Sequence, residues 1–311
     1  MNPAISTENL GKHFGRTAAL DGVSLAIPDG AIYALVGRNG AGKTTLIKLL
    51  MNILRPSAGS AQVLDRDARR LAGKGFCGIG YVSENQELPD WMTVGALLDF
   101  CRPFYPTWDR ALTEQLVAQF DLPLERRLRQ LSRGMRMKAA FVSALAYRPR
   151  LIVLDEPFSG LDPLVRDELI ESLLELAGES TIFVSSHDLA EIESLASHVG
   201  YLEEGHLLFS EEMSALSARF REVTVTLPES AAVRRDDPAA WIGVEVAGPT
   251  IHFVHTNYDG ERTERQVAAA FPTALSIVYD PMPLRAIFLA VAKSERSRSR
   301  LTPTNARTVN S

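Results

Sequence analysis

Apolar positions along the chain fall into two rhythms. Short, nearly unbroken runs mark strands buried on both faces: Ala31 to Val36, Leu151 to Leu154 and Thr181 to Ser185. Alternating segments mark half-buried strands at Ile5 to Leu10 and Val23 to Ile27, and the turn signal Pro28-Asp29-Gly30 separates Ile27 from the first buried run. Helical spacing takes over between Thr93 and Ala146, where Val94, Leu97, Leu98 and Cys101 lie on one face and Leu112, Leu116, Val117 and Phe120 on another. Further helices are expected at Lys43 to about Asn52, Leu164 to Ala177 and Leu189 to Leu195. Buried strands alternating with helices predict a parallel α/β sheet.

The rhythm changes near Phe220. Glu222 to Leu227 alternates strictly, Gly243 to Val246 and Thr250 to Val254 fit a hairpin around Gly248-Pro249, and Ala274 to Tyr279 is a further strand. Arg262 to Ala270 and Pro283 to Ala292 read as helices. The expected organisation is therefore one domain over 1–219 with a helical subdomain at about 90–147, a small α+β domain over 220–293, and a disordered tail over 294–311 rich in Ser, Arg and Thr.

Composition narrows the function classes. The chain has 311 residues, 46% hydrophobic and 23% charged, within the ordinary globular range. A net charge of −5 carries no basic stripe of the kind a nucleic-acid binder shows. Two cysteines, Cys77 and Cys101, form no disulfide framework and fit a reducing compartment, either as idle thiols or as one bridge. The longest apolar runs, such as Ala286 to Ala292, are far below the ~20 residues a spanning helix needs. Met1 to Leu10 lacks the basic start and apolar run of a secretory leader, so a cytosolic protein is expected.

Two motifs carry chemistry. Gly37-Arg38-Asn39-Gly40-Ala41-Gly42-Lys43-Thr44 follows a buried strand and opens a helix. Its glycines let backbone N–H groups converge on phosphate oxygens at a helix N-terminus. Lys43 reaches the β- and γ-phosphates, and the Thr44 hydroxyl is placed to ligate Mg²⁺. The second motif is Leu151 to Leu154 followed by Asp155 and Glu156. The carboxyl end of such a strand is where open α/β sheets bind ligands. Asp155 is expected to hold Mg²⁺, and Glu156 to polarise an attacking water.

With these motifs the chain resembles the ATP-binding subunits of ABC transporters from about residue 4 to residue 215. Leu131-Ser132-Arg133-Gly134-Met135 resembles the family signature, Ser159-Gly160-Leu161-Asp162 its D-loop, and His187 its switch histidine. Phe14 falls where the family places an aromatic on adenine. The resemblance implies a P-loop NTPase fold with a parallel core sheet, an antiparallel β edge and a helical signature subdomain, followed here by the small C-terminal α+β domain. It implies ATP and Mg²⁺ as ligands. Phe14, the loop from Gly37 to Thr44, Thr45, Ser132, Gly134, Met135 and Asp162 are expected around the nucleotide. Glu156, His187 and Glu84 are expected in catalysis, and Thr44, Asp155 and Glu84 at the metal. The family shares each ATP between the phosphate loop of one subunit and the signature of another, so a second ATP-binding subunit, identical or not, is implied. So is a separate integral membrane permease, docked near the Glu84 loop and Asp90 to Phe120. The subunit is then peripheral at the inner face of the cell membrane, and the arrangement is that of an exporter.

Two positions depart from the pattern. Glu84 stands where the family has Gln, with Gln86 as a substitute if the loop shifts. Arg133 stands at a glycine position, its side chain turned either to solvent or toward nucleotide. Trp91 is read as subdomain packing or as a contact for a membrane partner. His252 and His255, on opposite faces of a strand, are surface or rim histidines, and the basic tail is either solvated or drawn to anionic lipid. The rival functions are a related ATPase acting on nucleic acid or ribosomes, and a regulatory module that holds ATP without turnover. The C-terminal domain regulates, dimerises or contacts a partner.

Overall fold

A computed structural model describes residues 2–228 and 238–301. They form two compact units, one up to Glu211 and one from Glu212. In the first unit, β1 (Ile5–Phe14), β2 (Thr17–Ile27) and β3 (Ile32–Val36) lead to α1 (Lys43–Leu50). Then come β4 (Ala58–Val63), β5 (Arg66–Asp67) and β6 (Ile79–Ser83), and the helices α2 (Val94–Cys101), α3 (Arg110–Gln119) and α4 (Arg133–Leu145). The unit closes with β7 (Leu151–Asp155), α5 (Pro163–Glu175), β8 (Thr181–Ser186), α6 (Ala190–Glu193), β9 (His198–Glu203) and β10 (His206–Glu212).

Two sheets build this unit. One has the order β10-β9-β3-β8-β7-β6, and from β9 to β6 its pairings are parallel. The other has the order β2-β1-β4-β5 and is antiparallel. Every residue of β3, β7 and β8 is buried, which explains their unbroken apolar runs. Side chains of both sheets and α1, among them Ile5, Leu20, Tyr33, Leu46, Leu50 and Phe183, share one apolar cluster. The register aligns the strand ends that matter: Val36 pairs with Ser186, Asp155 with Ser185, and Ser83 with Asp155. The loops after β3, β7, β8 and β6 therefore leave the sheet at one edge.

The helical segment is fixed by side-chain caps. Thr93, Asp109 and Ser132 each accept a backbone N–H at the start of α2, α3 and α4. Cys77 and Cys101 are free thiols. Trp91 is 70% exposed, so it does not pack the subdomain.

The second unit contains α7 (Met213–Arg219), β11 (Arg221–Thr226), β12 (Trp241–Ala247), β13 (Thr250–His255), α8 (Glu261–Ala270), β14 (Ser276–Pro281) and α9 (Leu284–Leu301). Its antiparallel sheet runs β12-β13-β11-β14. Alternation sends Val223, Val225, Ile251 and Phe253 to one face, where Trp241 stacks on Phe253 at 4.2 Å between ring centres. His252 and His255 lie on opposite faces as expected, but His255 is buried, because it ends the inward-facing row of β13. The structure also corrects the tail. The last helix continues to Leu301, into the segment expected to be disordered. Lys, Arg and Glu are good helix formers, so they extend a helix that Ile287, Phe288 and Ala292 anchor. The rest of the tail, 302–311, lies outside the described residues.

Candidate active site

The phosphate loop wraps its own lysine. Gly40 and Gly42 have φ of 84° and 111°, and a Cβ on Gly42 would stand 2.5 Å from the Ala19 carbonyl oxygen. Only glycine fits there. Gly42 also starts α1, which points the first amides of that helix at the loop. Asn39 is exposed and Ala41 buried, with the Ala41 N–H donating to the Arg38 carbonyl at 3.0 Å. Lys43 is 5% exposed. Its Nζ donates to the carbonyls of Gly37 at 2.6 Å and Arg38 at 3.2 Å, and meets Glu156 Oε1 at 3.0 Å.

The acidic end of β7 faces this loop. Thr44 Oγ1 donates to Asp155 Oδ1 at 3.1 Å, and Ser185 Oγ donates to the same oxygen at 2.8 Å. The Glu156 N–H donates to Ser185 Oγ at 3.0 Å. Glu156 itself has a φ of 51°, a left-handed conformation that costs a non-glycine residue about 1–3 kcal/mol. The turn this produces sends the Glu156 carboxylate back over Lys43, while His187 Nδ1 lies 2.7 Å from Glu156 Oε2. Glu156 Oε1 is buried and faces the Lys43 ammonium.

Thr44, Asp155, Glu156 and Glu84 line one cleft of about 250 Å³ with Lys48, Tyr81, Ser83 and Asn85. Its donors fit Mg·ATP: a hydroxyl and a carboxylate oxygen in contact are the few hard ligands Mg²⁺ takes when phosphates and water complete its shell. The glycine amides and the Lys43 ammonium are donors suited to phosphate oxygens.

The signature residues sit at a helix start. Ser132 is exposed, and its Oγ accepts the Met135 N–H at 3.3 Å. A Cβ on Gly134 would come within 3.3 Å of Val165, so this position packs α4 against α5. Asp162 caps α5, its Oδ1 accepting the Leu164 N–H at 3.0 Å. Thr45 is partly buried on α1. Phe14 stands outside the cluster, 50% exposed at the tip of the β1–β2 hairpin, with Lys12 Nζ 5.1 Å from its ring centre.

Of the two departures, Gln86 turns its side chain back to accept the Ser83 N–H at 3.3 Å, whereas Glu84 lies in the cleft wall. The half-exposed Arg133 side chain turns its guanidinium to Glu84. Sequence reasoning missed Ser185 and Ser159, which donate to Asp155 and Glu84 respectively. Ser159 opens the D-loop segment and Ser185 lies near the end of a buried strand, and a serine in either place is too common to mark a role.

A family model described as ABC transporter matches residues 20–159. The bacitracin transport ATP-binding protein BcrA of Enterococcus faecalis is 32% identical over 72% of this chain and 74% of its own length. The daunorubicin resistance ATP-binding protein DrrA3 of Streptomyces coeruleorubidus is 32% identical over 66% of this chain and 67% of its own. Among solved structures, the ATP-binding subunit of an ABC transporter superposes with a TM-score of 0.63 at 26% identity, covering 68% of this chain and 91% of that one.

Proposed function

Because the chain belongs to the ABC transporter family of ATP-binding subunits, and is an ATPase that powers transport, we propose that its phosphate loop and the end of β7 hold one Mg·ATP, sealed by the signature of a second subunit. The observation that carries this is the single network joining Lys43, Thr44, Asp155, Ser185, Glu156 and His187. Lys43 and the loop amides bind the phosphates. Thr44 and Asp155 would hold Mg²⁺, with Glu84 at the rim, and the metal supplies charge neutralisation on the phosphates. Glu156 takes a proton from the water that attacks the γ-phosphorus. His187 fixes the Glu156 carboxylate and stands exposed where it can also meet that phosphate. Ser132 and the amide of Gly134, at the tip of α4, are the groups offered to the partner's ATP. Phe14 supplies the face for adenine, and Asp162 lies at the seam.

Export is the direction that a drug-resistance relative supports. No helix among the described residues is long and apolar enough to cross a membrane, and we assign the path to a separate permease. The exposed Trp91, Phe100 and Phe104 support our reading that the permease docks on the helical subdomain, with this subunit at the inner membrane face. We take residues 1–219 as the ATPase domain, which adds α7 to the first compact unit, and the rest as an appended module.

The sandwich is tested by sedimentation of Glu156→Gln with and without Mg·ATP. Nucleotide is expected to convert monomers to dimers, and Ser132→Arg in the same background to keep monomers that still bind ATP. Unchanged dimerisation with Ser132→Arg removes the signature from the interface.

A further inference from the structure

The two side chains that depart from the family pattern meet each other. Arg133 Nη2 donates to Glu84 Oε1 at 2.9 Å, and Ser159 Oγ donates to the same oxygen at 2.9 Å. The path of the arginine is built into the chain: it crosses Gly160, where a Cβ would stand 2.8 Å from Arg133 Nη1. Glu84 is meanwhile tied to the end of the metal-facing strand, its N–H donating to the Asp155 carbonyl at 2.9 Å. One residue thus links the loop after β6, the loop after β7 and the first residue of α4.

Glu84 also lines two cavities. One is the cleft of Thr44, Asp155 and Glu156; the other, about 220 Å³, is lined by Arg133, Arg136 and Met137. Its carboxylate stands in the wall between them and is turned to the arginine side. Electrostatics explains the choice. Asp155 and Glu156 already place two carboxylates in the cleft, Lys43 is committed to Glu156, and Lys48 is the ammonium in the cleft lining to set against them. A third carboxylate facing inward would be repelled until a cation arrived. The Arg133 and Glu84 side chains are 51% and 31% exposed, so the pair is weak enough to exchange.

We propose that Arg133 is a positioning residue that parks Glu84 outside the cleft in the empty subunit, and that a divalent cation entering with nucleotide takes the carboxylate from it. Metal loading then frees the guanidinium beside Ser132 and removes one of the ties between the tip of α4 and its own subunit's loops, that of Arg136 to Asp90 remaining. This rests on the reading that the cleft takes Mg·ATP.

The test is a double-mutant cycle on the full chain, with Mn²⁺ as the probe and its binding in the presence of ATP followed by electron paramagnetic resonance. Arg133→Met is expected to tighten Mn²⁺ by about two- to fivefold. In the Glu84→Gln background the same substitution is expected to have no effect. Arg133→Lys should stay near wild type, and ATP binding in EDTA should be equal in the wild type and the single Arg133 variants. An equal effect of Arg133→Met in both backgrounds, or a weakening of Mn²⁺ binding, overturns the parking role alone. A wild-type chain that binds no Mn·ATP overturns the parent reading as well.

Discussion

At the scale of single residues, the site is held together by opposite charges that nucleotide must rearrange. Lys43 is bound to Glu156 and to its own loop carbonyls. Replacing it with alanine removes the counter-charge and is expected to weaken Mg·ATP binding about 10- to 100-fold, as loss of a charged hydrogen bond does, measured by calorimetry. Affinity equal to wild type would remove Lys43 from the phosphate site. That Lys43, Thr44, Asp155 and Glu156 come together was legible because each motif is contiguous and its residue types point to one shared use. The contact between Glu84 and Arg133 was not, because the partners are 49 residues apart and only the fold brings them together.

At the scale of elements, periodicity was a reliable guide where burial is uniform. β3, β7 and β8 are buried throughout and stood out as apolar runs. β9 escaped notice because His198 and Gly200 interrupt it, although Val199, Tyr201 and Leu202 are buried. β1 runs past the expected Leu10 to Phe14: Lys12, His13 and Phe14 are half-buried or exposed and carry no apolar alternation, and Gly15, with φ of 58°, turns the strand into β2. In β13, burial of His255 holds its pKa below the ordinary histidine value of 6.5, with the Asp259 carboxylate opposing in part. The unfolded chain therefore binds the proton more readily than the folded unit. Stability should rise with pH through the window just below 6.5 and be lost as pH falls through it. Urea unfolding at a series of pH values checks this, and His255→Gln is expected to flatten the slope. A slope that His255→Gln leaves intact assigns the effect to another group.

At the scale of the whole molecule, the chain divides its labour between two compact units, each with its own core. Phe253 is 1% exposed in the second core, between Val223 and Trp241. Phe253→Ala is expected to destabilise that unit by about 3–5 kcal/mol, read from thermal unfolding, while Mg·ATP affinity is unchanged. Coupled loss of both would show that the appended module supports the nucleotide site. Fold class and the collinear motifs of the first unit were readable from one sequence; the rival activity on nucleic acid or ribosomes is not favoured, since the relatives carry the names of transport and resistance proteins. The central claim is that Glu156 activates water on an ATP this chain holds. Phosphate release by Glu156→Gln at full nucleotide occupancy tests it most directly. A fall of about 10²- to 10⁴-fold with Mg·ATP still bound is predicted, and release at the wild-type rate would contradict the account.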